Sequence, residues 1–305
     1  MEDMALKLCE LSPDRFMYHR SSWKKFSDGT DNIHIGGFQP NRLSGEHCIF
    51  LASFHNNDVT LSQFSVMIAI LQSFIESLTI ILPFYPVGTM ERVVREGQVA
   101  TASTYANMFS GLPSCGRPSR LMMYDLHTLQ NRHYVHGNCI ASLQSTIPVL
   151  IQSLKGSTVN CVAFPDDGAK KRFAFLFEGA GLEIITCGKT RHGDERDVVI
   201  QDGDVMGKEV IVVDDLVQTG GTLFEAGMAL KDAGAKSVSA FVAHAVFPKE
   251  AWRRFLRGGD RACFQQFIVS NSNPVVVNEL PKDDVFKILG IEIMIIEDLD
   301  AYSRT

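Results

Sequence analysis

The chain has 305 residues, 45% of them hydrophobic and 21% charged, with a formal net charge of −6. These are globular proportions, and they exclude a disordered, collagen-like or coiled-coil chain; at roughly 150 residues per domain the length predicts two domains. The acidic balance excludes a non-specific nucleic-acid binder, which needs clustered Lys and Arg to release counterions, yet leaves room for a phosphate held by a few local cations.

Residues 1–15 mix acids and bases and carry no apolar core of signal-peptide type. In the first half, β-branched and apolar runs at 47–53, 78–84 and 120–125 are predicted strands, and 61–75, 99–109 and 142–154 are predicted helices. Lys155-Gly156-Ser157 reads as a helix stop after a basic last turn, so the domain boundary is placed there, giving domains 1–152 and 153–305. In the second half, strands are predicted at 159–164, 182–187, 209–213, 237–244, 266–269 and 291–296, and helices at 170–177 and 222–233. The unbroken run Val210-Ile211-Val212-Val213 marks a strand buried on both faces, as in a parallel sheet. Alternating strands and helices imply α/β layering with right-handed crossovers.

The seven cysteines are odd in number, scattered, and form no C-x-x-C pair, which predicts reduced thiols in a cytoplasmic protein. Every long charge-free stretch contains Ser, Thr, Gln, Asn or Pro, so no membrane span is predicted. His127, His133, His136 and Cys139 lie close together, but their spacing matches no zinc finger.

The most informative stretch runs from Glu209 through Asp214, Asp215, Gln218, Thr219, Gly220 and Gly221 to Thr222. A buried strand leads into paired carboxylates, then a glycine turn, then a helix. The glycines permit positive φ and close backbone approach. Free N–H groups at the helix start form a nest for a phosphate. Asp214 and Asp215 stand at the carboxyl end of the strand, where α/β sheets bind ligands, and can accept from vicinal sugar hydroxyls. The stretch lacks both the Gly-Lys-Ser/Thr of a Walker A loop and the G-x-G-x-x-G of a dinucleotide fingerprint.

This segment resembles the phosphoribosyl-diphosphate loop of the type I phosphoribosyltransferase fold, and the resemblance extends in order along residues 25–222 to the ribose-phosphate diphosphokinases (PRPP synthetases). Phe26-Ser27-Asp28-Gly29 resembles their Phe-x-Asp-Gly element, and Tyr124-Asp125-Leu126-His127-Thr128-Leu129-Gln130 their Asp-Leu-His-x-x-Gln motif. Pro165-Asp166-Asp167-Gly168-Ala169-Lys170-Lys171-Arg172 resembles Pro-Asp-x-Gly-x-Lys-Arg, and Lys189-Thr190-Arg191 falls at the Lys-x-Arg of their catalytic loop. Gly88–Val93 replaces the Arg-Gln-Asp-Arg-Lys segment of the common members, and Gln218 stands where they carry an acid. Both departures resemble the plant-type (class II) synthetases.

The resemblance implies two tandem phosphoribosyltransferase-type, Rossmann-like domains with mainly parallel sheets. It implies Mg²⁺-dependent transfer of diphosphate from ATP to the 1-hydroxyl of ribose 5-phosphate, giving PRPP and AMP for nucleotide biosynthesis. Lys189 and Arg191 would stabilise the transferring group from a Gly-bounded loop that closes over substrate. Phe26, Asp28, Arg92 and His127 would bind ATP, and His127 and Asp166 would hold the metal. Asp214 and Asp215 would hold the ribose hydroxyls, and Gln218, Thr219, Gly220, Gly221 and Thr222 the 5-phosphate. Most of Lys24-Lys25 and Lys170-Lys171-Arg172 reads as solvated surface. Because Phe26 of the family reaches a neighbouring subunit's ATP, a homo-oligomer is implied. Two other readings stay open at this stage: a non-catalytic or regulatory synthetase-like subunit, suggested by the altered 88–93 segment, and a PRPP-consuming phosphoribosyltransferase.

Overall fold

The computed structural model describes residues 1–192, 195–282 and 284–303, with side chains described for all of these except 189–192, 195–197, 302 and 303. The chain forms two compact units, Met1–Gln144 with Ile295–Thr305, and Ser145–Met294.

The first unit opens with helix α1 (Glu2–Leu11) and an antiparallel hairpin of β1 (Ser22–Lys25) and β2 (Asp31–His34). There follow β3 (His47–Leu51), α2 (Asn57–Leu71), β4 (Ser77–Leu82), α3 (Thr101–Ser110), β5 (Ser119–Tyr124) and β6 (Cys139–Gln144). The last four strands make one parallel sheet in the order β3-β4-β5-β6. Leu78 to Leu82 of β4 are all buried, because both faces of the sheet are covered. Helix α2 starts at Asn56, whose side chain accepts from the Val59 N–H at 2.8 Å, a cap worth about 1 kcal/mol. Phe54, Phe64 and Phe109 meet at centroid separations of 4.9 to 5.6 Å in the core.

The second unit runs α4 (Ile147–Leu154), β7 (Cys161–Phe164), α5 (Asp167–Phe173), β8 (Glu183–His192), β9 (Glu195–Asp202), β10 (Glu209–Val217), α6 (Gly221–Asp232), β11 (Ser237–Ala245), β12 (Phe267–Ser270), α7 (Pro274–Val277), β13 (Phe286–Leu289) and α8 (Glu292–Ser303). Its seven strands lie in the order β13-β12-β11-β10-β7-β8-β9, parallel except for β9. Val210 and Val212 of β10 pack on one face with Leu223, Ala226 and Leu230 of α6, while Ile211 and Val213 pack on the other with Ile147, Leu150 and Phe173. That two-faced burial is the reason the strand is an unbroken apolar run. From β7 the chain builds outward through β8 on one side, and from β10 through β11 on the other. The β7/β10 junction is therefore the topological switch point of the sheet, where the carboxyl ends of the strands leave a crevice.

The predicted α/β class with mainly parallel sheets is the observed one. Three of the sequence expectations that differ from the structure bear on its architecture. Residues 291–296, predicted as a strand, open into α8, where Ile295 and Leu299 are buried one turn apart, in line with the buried Ile291 that precedes the helix. The predicted helix 142–154 starts too early, since Ser142 to Gln144 belong to β6 and Pro148 marks the first turn of α4. The division falls at Gln144/Ser145 rather than 152/153, because α4 buries Ile147 and Leu150 in the second unit's core. The chain end from Ile295 belongs to the first unit, tied there by Tyr124 to Asp298 and by Arg15 to Asp300 at 2.8 Å each. Among the described residues no helix is long and apolar enough to cross a membrane.

Burial pushes the Asp298 carboxyl up to about 6, against the hydrogen bond donated by the Tyr124 hydroxyl and with help from the Glu297 and Asp125 charges. The folded chain thus holds a proton that the unfolded chain has already lost above pH 3.8. Stability falls as pH rises from about 4 to 6 and the loss is complete above that window. Asp298→Asn keeps an acceptor for Tyr124 and removes the buried charge. Allowing for the group's partial exposure, it is expected to raise unfolding stability by about 1 kcal/mol at pH 8. Urea titrations should show that gain vanish near pH 3.

Candidate functional site

Strand β10 delivers Asp214 and Asp215 at its carboxyl end and passes through Gln218 and Thr219 to Gly220. Gly220 is left-handed, at φ 72° and ψ 19°, and caps α6 with no side-chain hydrogen bond. A Cβ there would lie 2.3 Å from Phe255 Cζ, so only glycine fits. The Phe224 N–H closes the first helical turn onto the Gly220 carbonyl at 3.0 Å. The N–H groups of Gly221, Thr222 and Leu223 have no intrahelical acceptor and stand at the positive end of the helix, an arrangement that binds anions. Gln218 and Thr219 are exposed and Gly221 and Thr222 half-buried, so a solvent-borne ligand reaches the turn.

Beside this turn lies an acid cluster, all of it in the second unit. Asp166 follows β7 and caps α5, accepting from the Ala169 N–H at 3.0 Å. Asp214 is half-buried and accepts from the Asp215 N–H at 2.9 Å. Its carboxyl is pushed well above the usual carboxylate range, first by burial and then by the charges of Asp215 and Asp166. Asp215 is buried and meets Arg172 of α5, Nη1 to Oδ2, at 2.8 Å. The two strands at the switch point thus bring three carboxylates within reach of one another's charge, with Asp215 paired to the Arg172 guanidinium. The net negative charge suits a cation or the hydroxyls of a sugar. Among the described residues no three metal-ligating side chains converge closely enough to hold an ion unaided.

In the first unit, β5 is followed by Asp125, a buried residue held at φ 40°, and then by His127, half-buried. The Thr128 hydroxyl donates to Glu91 Oε1 at 3.1 Å, and Asn131 Nδ2 to the Gly88 carbonyl at 2.9 Å. These bonds bring the 88–93 segment alongside His127. Arg92 stands there with its side chain 80% exposed and its Nε 3.1 Å from Glu91. Phe26 and Asp28 lie at the tip of the β1–β2 hairpin. Phe26 is exposed, and Asp28 Oδ1 accepts from the Thr30 N–H and hydroxyl at 2.9 and 2.6 Å, which lowers its carboxyl. The carboxylate expected to bind adenine thus also builds the hairpin turn.

The side chains of Lys189 and Arg191 lie outside the described residues. Their backbone is strand rather than loop: Lys189 pairs with Val198 and Arg191 with Arg196 in the β8–β9 hairpin. Two residues of these sites were missed from sequence. Arg172, read as part of a solvated basic face, is turned inward. Its signal was position, since it flanks Ala169 and Phe173, the buried residues of α5. Glu91, whose side chain is only 8% exposed, carries no such signal in a polar stretch.

Comparison with known proteins reaches both units. The phosphoribosyl transferase domain family matches residues 176–276. The chain is 39% identical over 297 residues to ribose-phosphate pyrophosphokinase 4 of Oryza sativa subsp. japonica, covering 95% of this chain and 90% of the relative. It is 40% identical to the chloroplastic ribose-phosphate pyrophosphokinase 3 of the same plant, over 88% and 67% respectively. Its fold matches the crystal structure of phosphoribosylpyrophosphate synthetase from Mycobacterium smegmatis with a TM-score of 0.78 at 21% identity, covering 99% of this chain and 96% of that one.

Proposed function

The chain belongs to the ribose-phosphate pyrophosphokinase family, and from that premise we propose that it transfers the diphosphate of ATP to the 1-hydroxyl of ribose 5-phosphate, giving PRPP and AMP. The observation that carries this reading is the left-handed Gly220 turn opening α6 next to the Asp214–Asp215 pair, in a chain similar to its relatives over nearly its whole length. The 5-phosphate sits on the N–H groups of Gly221, Thr222 and Leu223, with Gln218 and Thr219 at its rim. Asp214, with Asp215 fixed by Arg172, accepts from the ribose hydroxyls and aims the 1-hydroxyl at the β-phosphorus. Little covalent work falls to the protein, so positioning and charge stabilisation dominate.

Lys189 and Arg191 supply charge to the transferring group. His127 and Arg92 take the ATP phosphates, and Phe26 and Asp28 the adenine. The exposure of Phe26 supports a role toward a neighbouring subunit's nucleotide and hence a homo-oligomer. An oxygen-seeking cation such as Mg²⁺ suits the carboxylates of the second unit: Asp166 would hold it there, and when bound it would neutralise phosphate oxygens; His127, the other metal candidate, lies on the first unit. The free state of all seven cysteines supports a reducing compartment, for which we propose the cytoplasm; cell fractionation checks it.

The test is AMP release from ATP and ribose 5-phosphate with Mg²⁺. No AMP from purified protein overturns the reading. AMP formed only with a second synthetase subunit present shows a regulatory chain, and nucleotide formed from PRPP and a base without ATP a phosphoribosyltransferase. Lys189→Ala is expected to lower kcat by about 10³-fold, with unfolding unchanged, because transition-state charge stabilisation is lost.

A further inference from the structure

The phosphate turn is supported from outside its own motif. After β11 the chain passes through Phe247 into a kinked 3-10 segment over Pro248–Phe255, in which Lys249 and Glu250 share its positive φ and which sets Phe255 against Gly220. The chain then reverses at Gly259, where a Cβ would lie 2.3 Å from the Arg254 carbonyl oxygen, and the Arg261 N–H donates to that same carbonyl at 2.8 Å. This reversal carries the Arg261 side chain back to the turn. Its Nη1 donates to the Thr219 carbonyl at 2.6 Å, and its Cζ lies 5.7 Å from the Phe224 ring centroid. Nη1 and Nη2 lie 3.8 and 3.9 Å from the place a Cβ on Gly221 would take, and Glu225 Oε1 lies 4.0 Å from the same point.

A guanidinium at the start of a helix opposes the helix dipole, which favours negative charge there. The arginines before it are engaged, Arg253 by Glu250 and Arg254 by Asp260. Arg261 forms no ion pair among the described residues; the nearby Asp260 carboxylate feels its charge but is paired with Arg254, and the helix start does not balance it. Of its five N–H donors one is used on Thr219, and the planar fork is held against Phe224. A second anion-seeking group thus stands at the turn already lined by the N–H groups of α6.

We propose that Arg261 is a further binding and positioning residue of this site: it fixes the Thr219 peptide through its carbonyl and gives its remaining donors to the phosphate of ribose 5-phosphate. The proposal rests on reading the β10–α6 turn as the phosphate site. Arg261 stands outside every motif that carried the resemblance, and reaches the turn from 42 residues away.

The test compares full-length wild type with Arg261→Ala, Arg261→Gln and Arg261→Lys. AMP formation is measured against each substrate, and ribose 5-phosphate alone is titrated calorimetrically. Loss of a charge-assisted pair of hydrogen bonds is expected to raise KM and Kd for ribose 5-phosphate by about 20-fold in the alanine and glutamine variants. The KM for ATP should stay within about 2-fold, and lysine should recover about half of the loss on a logarithmic scale, as a point charge lacking the fork. An unchanged KM and Kd for ribose 5-phosphate overturns the proposal. So does a parallel loss in kcat, both KM values and thermal midpoint, which would mark a structural residue. A wild type that binds ribose 5-phosphate but makes no AMP overturns the transfer reaction alone, since the titration still reads Arg261.

Discussion

Arg172→Met is expected to destabilise the chain by about 3–5 kcal/mol, the cost of breaking a buried ion pair from one side. The pair is well enclosed, with the Arg172 side chain 17% and the Asp215 side chain 5% exposed. Methionine fills similar volume, so the loss comes from charge: Asp215 stays buried beside Asp214 without that guanidinium, and Asp166 adds a third negative group. The strongest check is a double-mutant cycle in urea. Arg172→Met with Asp215→Asn removes both charges and should recover most of the stability, because a pair of neutral groups has no ionic desolvation to offset. A single variant that unfolds at the wild-type midpoint would show that the pair contributes nothing. For function, kcat/KM for ribose 5-phosphate should fall by about 100-fold in Arg172→Met, as Asp215 loses its fixed position. The double variant should stay inactive although stable, which separates the architectural use of Arg172 from the need for a carboxylate at 215.

What was legible in the sequence was what is local. The buried strands announced themselves because both faces of each sheet are covered, as Val210 to Val213 show with alternate residues in two different cores. The Asp214-to-Thr222 turn was legible for the same reason, since strand end, glycine and helix start are consecutive. The β1–β2 hairpin was missed, because its residues are mostly exposed and leave no apolar period. Helix α8 was misread because six residues rich in Ile and Met fit a buried strand and a buried helix equally well. Arg172 and Arg261 escaped because their partners, Asp215 and Thr219, are far off in sequence and adjacent only through the crossovers. An arginine's own neighbours do not reveal whether its long side chain turns inward.

Gly220→Ala is the change expected to separate the phosphate turn from the fold most sharply. Two terms add. The residue sits at φ 72°, a conformation that costs an L-residue roughly 1–2 kcal/mol. The new Cβ would also meet Phe255 Cζ at 2.3 Å, Phe255 Cε2 at 2.8 Å and Val217 Cγ2 at 3.3 Å. Phe255 cannot swing aside without disturbing Phe247, Phe264 and Phe267, whose rings pack on it at 5.1 to 6.0 Å. Overpacking of this kind costs typically 1–3 kcal/mol, so the expected loss of stability is about 2–5 kcal/mol in total. Because the ring is fixed from below, the turn is the part that yields. Its movement pulls the N–H groups of Gly221 and Thr222 out of register, and ribose 5-phosphate affinity should fall by more than about 100-fold, since each N–H bond to a charged phosphate is worth some 1.5–3 kcal/mol. Gly221→Ala is the matched control for stability. Its nearest neighbours would be 3.8 Å or more from the added Cβ, and its φ is not left-handed. It should therefore unfold within about 0.5 kcal/mol of wild type, as alanine is the better helix former. If Gly220→Ala matched that control in urea and still bound ribose 5-phosphate, the turn would not be set by Phe255. The glycine would then be needed neither for the left-handed cap nor for the phosphate.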